Sequence, residues 1–381
     1  MNHLYLTQEH EIFRQGFKKF LAKEAQPFIE KWEDEKMTPR SFWNKLGGNG
    51  YLCPQLDEKY GGFNADFGYS VVIAEELTKM AGGFGISLHS DIVMPYLESF
   101  ANEEQKQRWY PGCLSGGQIL AIAMTEPGAG SDLANIRTTA VRDGDYYIVN
   151  GEKTFITNGY SADLIILAVK TDPKATPAHK GISLIVVEAD KTPGFTRGKK
   201  LKKLGQHVND TSELIFADAR VPVSNLLGEE GKGFYYLMQK LQQERLVVAL
   251  EGIVTCEVML DLTLEYVKQR KAFGKPISQF QNTQFKIADL ATEITIGRTF
   301  IDTLIRKHMD RENIVTEVSM AKMWSTELAK KVAGECMQLH GGYGYMEEYE
   351  IARRYRDVPV STIYAGTNEI MKTIIAKNLE L

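Results

Sequence analysis

A chain of 381 residues, 43% of them hydrophobic, is long enough for two or three domains and more than one buried core. Its 45 basic and 49 acidic residues leave a net charge of −4, which argues against a nucleic-acid surface and demands no partner of one charge. No run approaches membrane-spanning length, and Cys53, Cys113, Cys256 and Cys336 lack the paired spacing of a zinc site or a disulfide framework. A reducing compartment is expected. Met1-Asn2-His3-Leu4-Tyr5-Leu6 has neither the basic-then-apolar order of a signal peptide nor an Arg-rich transit composition, which points to a bacterial-type cytoplasmic protein.

Residues 1–121 read as a helical domain. Thr7 can cap a helix whose Ile12, Phe13, Phe17, Phe20 and Leu21 fall on one side, and Thr38-Pro39 starts another with proline at its first position. Next comes Met124-Thr125-Glu126-Pro127-Gly128-Ala129-Gly130-Ser131-Asp132, a turn whose glycines let the backbone approach a ligand and whose hydroxyls stand beside free amides. Its spacing is not G-x-G-x-x-G, and the strand-to-helix crossover of a dinucleotide fold is absent.

Residues 122–230 read as a small antiparallel β-barrel. Tyr147-Ile148-Val149, the pair Asn150-Gly151 and Lys153-Thr154-Phe155-Ile156 form a hairpin signal, and strands follow at 164–169, 182–187 and 213–216. Helix returns after Gly233. Segments 246–267 and 285–305 are long, amphipathic and free of proline, and a final helix covers 319–339, so residues 231–381 read as a four-helix bundle. The fold class is mainly α with a β domain between two helical ones.

Residues 124–132 closely resemble the flavin signature of the acyl-CoA dehydrogenases, and the likeness runs from the first helix to Leu381. The resemblance implies FAD wedged where the three domains meet, with Ile122, Ala123, Met124, Thr125, Gly130 and Ser131 on one side and Phe155, Ile156 and Thr157 on the other. Thr125 and Thr157 would hydrogen-bond the isoalloxazine ring. Phe155 stands where several relatives have tryptophan, so an aromatic face survives. Arg270 resembles the arginine that neutralises the neighbouring subunit's FAD pyrophosphate, with Phe273 and Gln281 close by. Gln338-Leu339-His340-Gly341-Gly342 resembles the glycine turn near the adenosine part, and Thr367 and Glu369 complete the wall. By charge pattern alone, Arg270 among Lys268, Lys271 and Lys275 also reads as a solvated basic face. Cys336 and His340 sit four apart as two metal ligands would, but further ligands are missing and no metal is expected.

The implied reaction is α,β-dehydrogenation of an acyl-CoA thioester to a trans-2-enoyl-CoA. Many relatives place the base directly before Gly-Thr near the C-terminus, where this chain has Ala365 in Tyr364-Ala365-Gly366-Thr367. The long-chain and isovaleryl enzymes carry it on the helix that opens the last domain, and Glu244-Arg245-Leu246 matches that position. Glu244 is therefore the expected base, although by pattern alone it is a surface glutamate pairing with Lys240. The Ala365 amide and a flavin ribityl hydroxyl are the expected donors to the thioester oxygen. Ser131, Tyr235, Gln242, Arg245, Ala365 and Gly366 fall along the substrate. The wider likeness favours medium-to-long straight acyl chains; a branched-chain (isovaleryl-type) dehydrogenase, an acyl-CoA oxidase-like enzyme and a silent acyl-CoA-binding protein are the alternatives. The family also implies electron-transferring flavoprotein as partner, with Glu188 as an acidic docking residue, and a homotetramer built as a pair of dimers.

Overall fold

The computed structural model describes residues 5–80 and 84–381. The leader reading of residues 1–4 lies outside the described residues. The chain opens with helices α1 (Gln8–Glu24), α2 (Ile29–Glu35), α3 (Arg40–Gly48), α4 (Phe67–Met80), α5 (Met94–Phe100) and α6 (Glu103–Leu114). Thr7 caps α1, and its N–H donates to His10 Nδ1 at 3.0 Å. Pro39 sits at the cap of α3, one position ahead of the expected first helical residue. Between α4 and α5 the segment Leu88–Val93 is wound as a π-helix, a geometry that recurs at functional sites.

The middle of the chain is one sheet of β1 (Leu120–Ala123), β2 (Thr139–Asp143), β3 (Tyr146–Thr157), β4 (Leu164–Lys170), β5 (Ile182–Glu188), β6 (Phe195–Lys200), β7 (Thr211–Pro222) and β8 (Leu226–Leu227). Its order is β6-β7-β3-β2-β4-β5-β8, with β1 on β4, so the expected barrel is an open half-barrel whose end strands β6 and β8 do not pair. Pairing is antiparallel except at β4, which meets β1 and β2 in parallel. The hairpin expected at Asn150-Gly151 is not there. β3 runs straight through, and Gly151 marks a bulge in its pairing with β7. Gly151 has φ +146°, and a Cβ there would lie 2.5 Å from Thr138 Oγ1, so glycine answers a close approach and not a turn. The reversal comes earlier, between β2 and β3 at Gly144.

β4 and β5 are buried on both faces, which explains their unbroken apolar runs. Leu164, Ile166 and Ala168 pack with Trp109, Tyr110 and other residues of the first helices, whereas Ile165, Leu167 and Val169 face the inner side of the half-barrel. The C-terminal part follows: α7 (Gly233–Gln269), a two-stranded ribbon of β9 (Lys271–Ala272) and β10 (Lys275–Pro276), α8 (Gln281–Met309), α9 (Val315–His340), α10 (Glu350–Asp357) and α11 (Asn368–Asn378). α7, α8 and α9 share one core with α4, built on Leu250, Ile253, Ile294, Ile301 and Val332.

A buried ion cluster ties the first helices to the last domain. Glu75 on α4 meets Arg298 of α8, and Arg14 Nη1 of α1 lies 2.6 Å from Glu75 and 2.7 Å from Glu76. Burial alone would raise the Glu75 carboxyl, but the Arg298 and Arg14 charges hold it down to about 2, against an ordinary 4.5. Its stabilising contribution is complete above about 4.5 and is lost as pH falls toward 2. Arg298→Met removes one of the two guanidinium groups that hold the buried Glu75 and is expected to cost about 3–5 kcal/mol. Thermal unfolding should show a lowered Tm at pH 7 and a narrower deficit at pH 3; an unchanged Tm at pH 7 would contradict this assignment.

Candidate active site

The 37 residues of α7 carry Glu244, Val248, Glu251, Gly252 and Thr255 on one face, the i, i+4, i+7, i+8, i+11 pattern of a helix. All five line a cavity of about 170 Å³, together with Thr157 at the end of β3, Ser87 before the π-helix, and Tyr364 and Ala365 ahead of α11. The surrounding residues from Leu246 to Leu250 are core, so the helix cannot turn Glu244 outward without exposing them.

Glu244 is 8% exposed and its Oε2 has no hydrogen-bond partner among the described residues. Burial pushes its carboxyl from 4.5 up to about 7, against the pull of the Arg245 and Lys322 charges. Arg245 is itself buried, with its Nε unpartnered. The surface pairing with Lys240 is not formed; the Lys240 ammonium instead lies 5.6 Å from the Phe100 ring centroid.

Ala365 has φ +56° and Gly366 φ +87°, two successive left-handed residues. The fully buried Lys322 on α9 latches this turn, donating to the Gly366 carbonyl at 2.9 Å and to Asn368 Oδ1 at 3.0 Å. The Ala365 N–H has no acceptor among the described residues, so it remains available to an oxygen in the cavity.

The glycine-rich loop is pinned from beneath. Buried Glu126 accepts from the Arg137 and Thr138 amides at 2.5 and 2.9 Å and from Lys153 Nζ at 2.8 Å, while Lys153 also donates to the Met124 carbonyl at 3.0 Å. The Thr154 N–H donates to the Thr125 carbonyl at 2.9 Å. Around Gly128 and Gly130 a Cβ would meet nothing within 4 Å, so the loop presents open backbone. Ile122 and Ala123 are buried in β1, Met124 and Thr125 are half-buried, and Ser131 is exposed. In β3, Ile156 is buried, Thr157 reaches the cavity, and Phe155 stands 68% exposed.

A second cavity, about 450 Å³, is lined by Tyr266, Arg270, Gln338, Leu339, His340, Gly341 and Gly342. A Cβ at Gly341 or Gly342 would meet nothing within 4 Å, and Arg270, which forms no ion pair among the described residues, lies over the Tyr343 ring at 5.5 Å from its centroid. This cradle with an unspent cation fits the phosphate and nucleoside part of a dinucleotide. The two cavities share no lining residue. His340 Nδ1 lies 2.9 Å from the Cys336 carbonyl and its ring stacks on Tyr266; among the described residues no group of His, Cys, Asp and Glu could hold a metal.

Other expected residues sit apart. Phe273 is almost fully exposed, and Gln281, the first residue of α8, is exposed too. Thr367 caps α11 and Glu369 is exposed in its first turn. Tyr235, half-exposed, meets His179. Gln242 does not line the cavity, because its amide clasps the loop before α9, accepting from the Ile314 N–H at 3.0 Å and donating to the Glu312 carbonyl at 3.2 Å. Glu188 is 5% exposed and engaged by Arg108 and Lys191, so it is a buried clasp and no free docking acid. Sequence reasoning missed Lys153, Lys322 and Glu251. A lysine inside an apolar β run and a second glutamate seven residues beyond Glu244 were the available signals.

Family profiles described as the N-terminal, middle and C-terminal domains of acyl-CoA dehydrogenase match residues 7–117, 121–219 and 231–380. The chain belongs to the acyl-CoA dehydrogenase family. Members of the family are flavoprotein oxidoreductases. The chain is 48% identical to the long-chain specific acyl-CoA dehydrogenase of Rattus norvegicus over 98% of its own length and 87% of the relative's. It is 39% identical to an acyl-CoA dehydrogenase of Bacillus subtilis over 99% of both. The crystal structure of an acyl-CoA dehydrogenase from Geobacillus kaustophilus superposes with a TM-score of 0.98 at 67% identity, covering 100% of both chains. The Bacillus anthracis acyl-CoA dehydrogenase solved in complex with FAD gives a TM-score of 0.92 at 30% identity, over 99% of this chain and 67% of that one. Among the described residues, no helix of this acyl-CoA dehydrogenase family member is long and apolar enough to cross a membrane.

Lys153→Met leaves Glu126 buried without its cation and slackens the loop. Hydrogen exchange at the Arg137 and Thr138 amides, both held by Glu126, should speed roughly tenfold to a hundredfold while α8 stays protected. Unaltered exchange would show that the loop does not depend on this pair.

Proposed function

We propose that this chain is an FAD-dependent acyl-CoA dehydrogenase acting on medium-to-long straight acyl-CoA thioesters, with Glu244 as the base. One observation carries the reading. A buried carboxylate with a free oxygen lines the same cavity as a backbone amide with no acceptor. A carboxyl raised to about 7 is half-ionised at neutral pH and is a far stronger base than one in water.

When bound, FAD supplies the acceptor for the hydride that leaves the β-carbon. Every other task falls to side chains and backbone. The thioester oxygen accepts from the Ala365 N–H, which stabilises the charge that develops as the α-proton leaves. Glu244 takes that proton, Arg245 and Lys322 keep enough of the carboxyl ionised to do so, and the substrate leaves as trans-2-enoyl-CoA with one proton and one hydride removed. Thr125, Thr157 and the backbone of residues 128–131 would hold the flavin ring. Arg270, Phe273, Gln281, residues 338–342, Thr367 and Glu369 would hold the dinucleotide arm. Since Thr157 lines one cavity and Arg270 with residues 338–342 line another that shares no residue with it, a second copy would supply the missing half, as a pair of dimers permits. Ser131 and Tyr235 would contact the CoA part, and Gly366 would lie beside the thioester. The cavity follows α7 for three turns past the base, about 16 Å, which favours a long chain over a short branched one. We assign electron-transferring flavoprotein as the acceptor of the electrons, a cytoplasmic location, and domain limits near residues 121 and 230.

Glu244→Gln should abolish flavin bleaching by dodecanoyl-CoA under anaerobic conditions while the protein stays yellow. In the wild type, kcat/KM should climb with pH through about 7, because only the ionised carboxyl accepts the proton. Retained activity in Glu244→Gln, with loss in Glu369→Gln, would transfer the base to Glu369.

A further inference from the structure

The stretch of the cleft beyond the base is not the apolar sleeve that a plain hydrocarbon needs. Glu251 lies seven residues along the same face as Glu244, about 10 Å down the helix axis. Among the described residues its carboxyl has no ion pair, and the side-chain hydroxyl beside it is that of Ser87. Ser87 lines the same cavity, is 4% exposed, and turns its hydroxyl to the Glu251 carboxyl. The phenol of Tyr364, held toward Gln206, stands near enough to feel the Glu251 charge. Burial pushes the Glu251 carboxyl up to about 7, drawn back by the neighbouring Ser87 hydroxyl and with no cation opposing it.

Methylene groups laid against this set would face a carboxyl whose one side-chain neighbour is Ser87, leaving part of its hydrogen-bonding capacity unmet, which weakens binding. A hydroxyl on the acyl chain both donates and accepts, and so satisfies a carboxylate and a serine together. We propose that Glu251 and Ser87 form a subsite that reads a hydroxyl carried far along the acyl chain. The inference rests on the proposed function, in which the thioester lies at Glu244 and Ala365 and the chain runs down α7. An extended chain advances roughly 1.2 Å per bond, so the hydroxyl falls roughly eight or nine bonds beyond the α-carbon. Substrates carrying a terminal carboxylate are disfavoured there by Glu251 and by buried Asp91 on the neighbouring π-helix.

The test uses the flavin-loaded protein and kcat/KM for ω-hydroxyacyl-CoA thioesters of eight, ten and twelve carbons, each against its unsubstituted and ω-amino counterparts. The wild type should favour the hydroxy form about tenfold at one length near ten carbons. Glu251→Leu should remove that preference and raise kcat/KM for the unsubstituted chain, and Ser87→Ala should reduce the preference severalfold. Flavin absorbance and Tm establish that each variant is folded. A wild type that favours unsubstituted chains at every length, with the same ratio in Glu251→Leu, would overturn the subsite. Preference for the amine would replace the hydroxyl by a cation and overturn the assignment. Flavin that no thioester bleaches would refute the dehydrogenase reading itself, and the subsite with it, a result distinct from the other two.

Discussion

A carboxylate held out of water without a partner is the constraint on which the site depends. Glu244 sits on a helix whose neighbouring residues are core, so the hydrophobic effect that folds α7 against α9 also keeps the carboxyl dry. Desolvation raises its affinity for a proton, and the nearby Arg245 and Lys322 moderate the rise. The two effects oppose each other. Without the cations the group would be protonated at neutral pH and useless as a base; without the burial it would be an ordinary weak carboxylate.

The remaining elements hold fixed what the reaction would otherwise have to organise. Lys322 both tempers Glu244 and latches the left-handed turn that frees the Ala365 amide, so one buried ammonium serves both halves of the site. Burial lowers its own pKa to about 8, and Arg245 adds to that, so part of its charge is lost in mildly alkaline solution. Glu126 and Lys153 do the equivalent for the glycine-rich loop, whose open backbone would otherwise wander. Farther out, the Glu75, Arg14 and Arg298 cluster fixes α1, α4 and α8 to one another and hence the helical walls of the cleft to the bundle.

Much of this was legible in the sequence because it is written in local pattern. The long helices show their 3.6-residue period, and the loop at 124–132 announces itself by composition. The displaced base was read from the vacancy at Ala365 joined to a match at Glu244. What was not legible lies in pairings between distant residues. Asn150-Gly151 has hairpin chemistry, yet Thr138 approaches Gly151 so closely that the glycine serves a bulge within β3. Glu188 looks like a loop acid until Arg108, some eighty residues earlier, folds over it. Gln242 looks like a neighbour of the base, but two residues' displacement around α7 turns its amide to the loop before α9. Glu251 is hidden in the sequence because a glutamate on a helix is ordinarily a solvated one.

The protonation of Glu244 itself is the decisive quantity. Infrared difference spectra between wild type and Glu244→Gln, recorded as a function of pH, isolate the carboxyl band of this one residue. A conversion from protonated to ionised form centred near 7 is the predicted result. A midpoint near 4.5, the value of a glutamate in water, would mean that the side chain is solvated and would contradict its role as a buried base.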